Sequence, residues 1–330
     1  MAKEKVQKED FDTVLKNLNK RYGVGTIISG KDIVQTLDVI STGSMTLDIA
    51  TTIGGIPLGK IIEIFGVESS GKSTLTLHII SEFQKAGKKA VYCDFEHSFD
   101  KKYAESIGVD VDSLIIVSPE CQEDGYNLIE ELVKTSEISL VIIDSHTAMM
   151  PRKIVDGEVG EATIGLQARI NSVALGKLKS VLPANNCTLI SVSQLRTAIG
   201  GYGDPSTPTG GNAYKFYADM RLKVFKQLDK TNDLNKTTVD VIKNKCGNPF
   251  GKAEFNIVWG KGIDKKQEIV DLAVELDLIK KGGSWYTIPG EEGSDDLKLQ
   301  GDNGIKKFLE DNPEFSKELE DKVIEQLKSK

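Results

Sequence analysis

Ile61-Ile62-Glu63-Ile64-Phe65-Gly66-Val67-Glu68-Ser69-Ser70-Gly71-Lys72-Ser73-Thr74 is the stretch on which the reading of this chain turns. Residues 61–65 form a short apolar run rich in β-branched side chains, as expected of a strand buried on both faces. Residues 66–73 then follow the spacing G-x-x-x-x-G-K-[ST], and helical periodicity begins near residue 73. Strand, glycine-rich loop and helix together predict a phosphate-binding loop. Glycines let the backbone wrap a phosphate, the amides and the helix N-terminus present oriented positive dipoles, Lys72 reaches between β- and γ-phosphates, and the Ser73 hydroxyl suits Mg²⁺.

Outward from that loop the same grammar repeats. Apolar runs at 90–93, 114–117, 140–143 and 189–192 lack polar alternation and are expected to be strands buried on both faces; helical stretches lie near 73–86, 122–134 and 163–182. Strand and helix in alternation predict an α/β fold with a mainly parallel central sheet. Residues 218–225, 237–243 and 253–258 alternate, for example Met220, Leu222 and Val224, and are expected to extend the sheet with antiparallel strands. From about 268 helical periodicity returns, passes through a polar Gly-rich segment at 282–304 and ends in a charged helix, a small α+β lobe. At the other end Phe11, Val14, Leu15, Leu18 and Tyr22 form one stripe of a helical arm that Gly23 can end. Its apolar face either docks in cis or covers a neighbouring subunit. The expected divisions are an N-terminal helix and linker (1–33), an α/β core around the phosphate loop (34–265) and a C-terminal lobe (266–330).

Three further positions carry candidate chemistry. Leu140-Val141-Ile142-Ile143-Asp144 is an apolar strand ending in an acid, at the sheet edge where parallel folds bind ligands, so Asp144 is expected to hold a metal through water. Glu96, just past the strand at 90–93, is a candidate general base, and Asp94 is its rival. Gln194 ends the strand at 188–193, where its amide is set to sense a γ-phosphate. After it runs a long Gly-rich segment through Asn212, and a second loop at 154–161 leads into the helix bearing Arg169. Both fall in the basic part of an otherwise acidic chain. Over 330 residues the net charge is −7, yet residues 151–265 carry 17 basic and 10 acidic side chains. Either that excess is spread over solvated faces or it meets a polynucleotide; the long loops and Lys177, Lys179, Lys215, Lys243 and Lys245 favour the polynucleotide. With 39% hydrophobic and 28% charged residues the composition excludes a disordered or collagen-like chain, and four scattered cysteines with three histidines argue against a zinc or disulfide framework. No apolar run reaches spanning length and the N-terminus lacks a signal-peptide core, so the expectation is a cytoplasmic protein without a membrane partner.

The segments Ile40-Ser41-Thr42-Gly43-Ser44, Gly66–Thr74, Glu96-His97, Asp144-Ser145, Thr209-Gly210-Gly211-Asn212-Ala213 and Lys243-Asn244-Lys245 closely resemble the RecA-type recombinases, and the resemblance runs from the N-terminal helix to the C-terminal lobe. It implies a DNA-dependent ATPase with ATP and Mg²⁺ as cofactors. Such a protein forms filaments on single-stranded DNA, pairs it with homologous duplex DNA and exchanges strands. The resemblance further implies that Gly66, Val67, Glu68, Ser69, Ser70, Gly71, Lys72, Ser73, Thr74, Asp144 and Trp259 bind the nucleotide, with Asp100 and Tyr103 at the adenine. It makes Glu96 the catalytic base and Gln194 the switch to the second DNA loop, with Lys243 and Lys245 reaching a neighbour's nucleotide. Phe216 would be an interface aromatic, and Arg169, Ser172, Arg196, Ile199, Gly210, Gly211 and Asn212 DNA contacts. Single-stranded-DNA-binding proteins, loaders and a repressor are further implied partners.

The chain departs from the family in four ways: Gly176 replaces a basic residue, the second loop is one residue shorter, Trp259 stands for a tyrosine, and no acidic tail follows the last helix. The last departure suits a bacteriophage-encoded version acting in the host cytoplasm. Two other classes share the core: a hexameric helicase-like motor, and a non-exchanging coat or repressor-cleavage activator. The presence of Glu96 and Gln194 favours a working ATPase.

Overall fold

Phe11–Tyr22 (α1) is a helix that stops at Gly23, where φ is 108°, and Asn19 anchors the following chain through two 2.8 Å hydrogen bonds with the backbone of Ile27. The computed structural model describes residues 10–23, 26–30, 37–158, 165–197, 206–208, 211–229, 234–290 and 295–328. The chain divides after Asp38, and the second unit runs from Val39 to Lys330.

That unit opens with Val39–Ile40 (β1) paired antiparallel to Ile56–Pro57 (β2) around a short helix, Met45–Ala50 (α2), capped by the Ser44 side chain. Strands and helices then alternate: Ile61–Gly66 (β3), Lys72–Lys85 (α3), Lys89–Asp94 (β4), Lys101–Ile107 (α4), Ile115–Val117 (β5), Gln122–Lys134 (α5) and Ile138–Asp144 (β6). A single turn, Arg152–Val155 (α6), precedes the long helix Leu166–Ala184 (α7) and the strand Thr188–Thr197 (β7). Ser206–Pro208 (β8) folds back on the end of β7, and Ala213–Tyr217 (α8) leads into Met220–Asp229 (β9), Leu234–Asn244 (β10), Lys252–Val258 (β11) and Gly262–Ile263 (β12). The main sheet has the order β12-β11-β10-β9-β3-β7-β6-β4-β5. From β9 to β5 its strands are parallel, and β10, β11 and β12 continue it antiparallel.

Alternating side chains feed two cores, one on each face of the sheet. One holds Ile62, Ile64, Leu75, Ile79 and Phe83 around α3; the other holds Val141, Ile143, Leu175, Leu178 and Tyr214 around α5, α7 and α8. Two expectations need correction. Residues 218–225 are not simply an antiparallel extension, because β9 pairs parallel with β3 and only its other edge is antiparallel, to β10. The run at 114–117 is not buried on both faces. β5 is the last strand of the sheet, and Ile115 and Ile116 stay 37% and 40% exposed.

Lys265–Glu275 (α9) starts the C-terminal lobe. Within the polar stretch after it lies a three-stranded antiparallel sheet, Lys280–Gly282 (β13), Trp285–Ile288 (β14) and Leu297–Gln300 (β15), followed by Gly301–Asp311 (α10) and Pro313–Lys328 (α11). Val270, Tyr286, Ile305, Leu309 and Val323 close its core. The lobe is fastened to the rest by a buried carboxylate: Glu268 Oε1 accepts 2.6 Å hydrogen bonds from the hydroxyls of Ser44 and Thr46, while Oε2 is buried with no partner. Desolvation pushes Glu268 up to about 7 from 4.5, and burial likewise pushes Asp48, on α2, up to about 6 from 3.8. A carboxyl raised on folding takes up a proton, so its contribution is full below the unfolded value and is lost as pH rises through the folded one. Glu268→Gln is therefore expected to flatten the loss of stability between pH 5 and pH 8, read as urea midpoints. Equal slopes in the variant and the natural chain would refute it.

Candidate functional site

The carboxyl ends of β3, β7 and β6 lie side by side, and the loop after β3 roofs a cleft of about 480 Å³. Its lining includes residues 68–74, Glu96, Tyr103, Asp144, Gln194 and Trp259. Gly66 pairs with Gln194 in the parallel ladder, so the loop and the Gln194 backbone are neighbours by register. Gly66 does not line the cleft; it is glycine because a Cβ there would stand 2.2 Å from the Val224 carbonyl oxygen. Gly71 has φ +97°, and its Cβ would meet Ile257 Cδ1 at 2.5 Å. Val67, also outside the lining, has an exposed side chain and contributes its carbonyl.

Within the loop, Lys72 Nζ donates to the carbonyls of Gly66 (3.2 Å) and Val67 (2.7 Å). Burial lowers its pKa, against the raising influence of Asp144, Glu96 and Glu68. Ser73 Oγ donates to Asp144 Oδ2 at 2.9 Å, and Tyr92 Oη donates to the same oxygen at 2.6 Å. Burial is the main cause that raises the Asp144 pKa. Ser70 Oγ is buried without a partner at the turn of the loop. A hydroxyl beside one carboxylate, next to a loop whose amides and lysine call for an anion, fits a magnesium ion shared with phosphates and water. No group of three or more His, Cys, Asp or Glu side chains that could hold a metal by themselves occurs among the described residues.

The two acids that spacing leaves equivalent differ in geometry. Asp94 is 5% exposed and both its oxygens accept backbone N–H groups, from Ser98 (3.1 Å) and Phe99 (3.0 Å). Glu96 faces the cleft, and Ser145 Oγ donates to its Oε1 at 2.6 Å. Tyr103 Oη and Thr74 Oγ1 are 2.8 Å apart, and Trp259, 65% exposed, stands at the rim. Asp100 is outside the lining; it caps α4 by accepting from Tyr103 N at 3.0 Å. Tyr92 and Ser145 were missed by sequence reasoning. Strand parity signals Tyr92, which shares a face of β4 with Asp94; Ser145 simply follows Asp144.

Lys243, Lys245 and Phe216 are not in this cleft. In the register of β9, Lys243 stands beside Arg221 and Gly66 beside Val224, so the lysines end β10 at the sheet edge away from the phosphate loop. Lys243 Nζ donates to the carbonyls of Lys215 (2.9 Å) and Phe216 (3.2 Å), and the Phe216 side chain is 70% exposed. On α7, Arg169 and Ser172 share the outward face with Gly176, whose missing Cβ would lie 3.2 Å from Tyr217 Oη. Gly211, at φ +87°, rests on the same helix, since a Cβ there would stand 2.5 Å from Ala168 Cβ. Asn212 follows it, exposed. Ile199, Gly210 and the Arg196 side chain lie outside the described residues.

The model of the RecA N-terminal domain matches residues 9–264, and that of the RecA C-terminal domain matches 267–328. The chain belongs to the RecA family. Curated proteins named Protein RecA match it nearly end to end. That of Campylobacter hominis is 44% identical over 98% of this chain and 93% of its own length, that of Cytophaga hutchinsonii 44% over 94% and 88%, and that of Acinetobacter baylyi 41% over 97% and 92%. Family membership makes the protein a nucleotide-binding, DNA-dependent ATPase of recombination and repair that binds DNA and assembles with itself; the helicase-like and coat alternatives are not favoured. Among the described residues no helix is long and apolar enough to cross a membrane.

The steric reading of Gly66 has a direct check. Gly66→Ala is expected to cost about 1–3 kcal/mol in urea unfolding through overpacking against the β9 backbone, and to abolish nucleotide binding measured by calorimetry. Unchanged stability would mean that the strand ends are looser than this geometry.

Proposed function

We propose that the cleft binds ATP with Mg²⁺, and that hydrolysis is completed only when a second copy of the chain in a filament on single-stranded DNA supplies Lys243 and Lys245. The observation that carries this reading is the register that sets those lysines at the opposite end of the sheet from the phosphate loop of their own chain. No rotamer change spans that distance, so two cations that reach a phosphate must belong to a neighbour in a head-to-tail contact.

On this reading Lys72 exchanges two loop carbonyls for β- and γ-phosphate oxygens, and the amides of residues 68–73 with the N-terminus of α3 cradle the chain of phosphates. Ser73 and, through water, Asp144 would hold Mg²⁺, which would supply positive charge to the phosphates. Glu96, oriented by Ser145, takes the proton of the attacking water. Asp94 is unsuited, because its lone pairs are engaged by backbone donors. Tyr103 and Trp259 flank the base and Asp100 meets it through the oxygen not engaged by Tyr103. The Gln194 amide senses the γ-phosphate. Arg169, Ser172, Arg196, Ile199 and the Gly210-Gly211-Asn212 turn hold DNA, and Phe216 seats on the neighbouring subunit. Residues 1–33 serve as the oligomerisation arm, 34–265 as the ATPase core and 266–330 as the C-terminal lobe. Strand exchange with homologous duplex DNA in the cytoplasm, with single-stranded-DNA-binding and loader proteins and a repressor as partners, completes the proposal.

Phosphate release with and without single-stranded DNA tests the site. Lys72→Ala is expected to remove DNA-stimulated hydrolysis, and Glu96→Gln to lower it about 100-fold or more while ATP-dependent DNA binding persists. The joint is tested by mixing. Lys72→Ala and Lys243→Ala, each inactive alone, are expected to recover about a quarter of the natural rate in an equal mixture, because random head-to-tail order leaves that share of joints intact on both sides. A mixture as inactive as its parts would place the lysines in their own subunit's reaction and overturn the proposal.

A further inference from the structure

Between the two sheet edges, on the face covered by α5, α7 and α8, lies a buried polar chain that the reaction as described does not use. Arg221 Nε donates to Glu63 Oε2 at 2.5 Å, and its guanidinium lies 4.5 Å from the ring centre of Phe65, the residue before the phosphate loop. Ser193 Oγ donates to Glu63 Oε1 at 2.9 Å. That bond uses the single Ser193 proton, so in the 3.1 Å contact between Ser193 Oγ and His146 Nδ1 the imidazole is the donor, shared with Ser191 Oγ at 3.0 Å. The His146 ring stacks on Tyr214 with centroids 4.1 Å apart. Tyr214 Oη is 2.9 Å from Tyr126 Oη, which donates to Asn171 Oδ1 at 2.7 Å. With one proton per hydroxyl, Tyr214 donates to Tyr126.

The ends of this chain are what give it meaning. Ser193 precedes Gln194, and His146 follows Asp144-Ser145, with its backbone N donating to Val192 O at 3.1 Å. Asn171 lies on α7 with Gln167, whose Nε2 donates to the carbonyls of His146 (3.1 Å) and Met149 (2.8 Å). Four residues apart, Gln167 and Asn171 share the inward face of the helix, while Arg169 and Ser172 sit on the outward face. A turn of α7 that shifts the outward face must therefore break or remake bonds to the loop that carries Asp144 and Ser145. A buried hydroxyl or amide left without its partner is costly, so the two arrangements are discrete rather than graded.

We propose that His146, Tyr214, Tyr126 and Asn171 are positioning residues that couple nucleotide state to the DNA-facing side of α7, a second connection beside Gln194. The inference rests on the reading of α7 as a DNA-contacting helix. Two cuts test it in the full chain. Tyr126→Phe removes one hydroxyl at the middle of the chain and keeps the ring; His146→Phe keeps a ring over Tyr214 and severs the link to Ser193. The readout is the ratio of fluorescent oligo(dT) affinities in ATP and in ADP, with ATP affinity in the absence of DNA and the unfolding midpoint as controls. In each variant the ratio is expected to fall at least about 5-fold, the lower end of allosteric coupling, with ATP affinity unchanged. A merely structural role would lower the unfolding midpoint and leave the ratio intact, and that result in either folded variant overturns the proposal. Should one variant fail to fold, the other decides. If the natural chain itself shows no difference between ATP and ADP, the underlying reading fails instead.

Discussion

Everything at the carboxyl edge depends on one backbone constraint, the parallel ladder in which Gly66 of β3 pairs with Gln194 of β7. The last ladder residue of β3 is also the first of the phosphate loop, so strand register dictates where the loop starts. β6 lies on the far side of β7, and β4 beyond it, so the order β3-β7-β6-β4 brings Gly66, Gln194, Asp144 and Asp94 to the same carboxyl edge, with the two acids set back from Gln194 along the ladder. α3 then carries Ser73 back across that edge to within 2.9 Å of Asp144. A one-residue slip of β7 would turn Gln194 away from the cleft and put Ser193 in its place. Burial on both faces makes such a slip prohibitive, because Ile190 and Val192 would exchange cores with Ser191 and Ser193.

The two edges of the sheet differ in kind. Around the phosphate loop the chain assembles donors and acids with an unpartnered Ser70 hydroxyl and a lysine that has only loop carbonyls to hold. At the other edge Lys243 rests on the carbonyls at the end of α8, with its pKa lowered first by burial and then by Lys245. Packing two cations together with an exposed phenylalanine has no stabilising rationale within one chain. On the proposed reading the same features are complementary when one edge meets the other. A contact of two different surfaces repeats without closing into a pair, which is the geometry a filament needs.

How much of this could be read beforehand follows from the physics of each signal. Strands buried on both faces write themselves as unbroken apolar runs, so β3, β4, β6 and β7 were legible from residue pattern alone. Direction and edge position are not local properties. The parallel pairing of β9 with β3, and the exposure of Ile115 and Ile116 on β5, depend on which strand ends up alongside. β13 to β15 were hidden because glycines and lysines dilute their alternation, and only Tyr286, Ile288 and the half-buried Leu299 face their small core. In the site, the G-x-x-x-x-G-K-S spacing pointed to the loop between β3 and α3, which lines the cleft, whereas Asp94 and Glu96 are interchangeable by spacing. Only the backbone donors of Ser98 and Phe99 separate them. Tyr92, which donates to Asp144, and Ser145, which donates to Glu96, have no role that spacing alone announces.

The polar layer under the cleft raises a question of economy, since apolar side chains of similar volume would fill the same space with less desolvation. Leu175, Leu178 and Leu182 already bind α7 to the sheet, and they tolerate small rotations of the helix because dispersion contacts are not directional. Gln167 and Asn171 are directional. Gln167 ties the first turn of α7 to the loop after Asp144, and Asn171 ties the next to Tyr126 and Gln122 of α5, at the end of the helix that bears Arg169 and Ser172, while the leucines hold the other end. A helix gripped by hydrogen bonds at one end and by apolar packing at the other has one defined setting for each arrangement of the bonded loop. Such a device converts a change at Ser145 or Gln194 into a change of helix setting, and it does so only because the layer is polar, directional and buried.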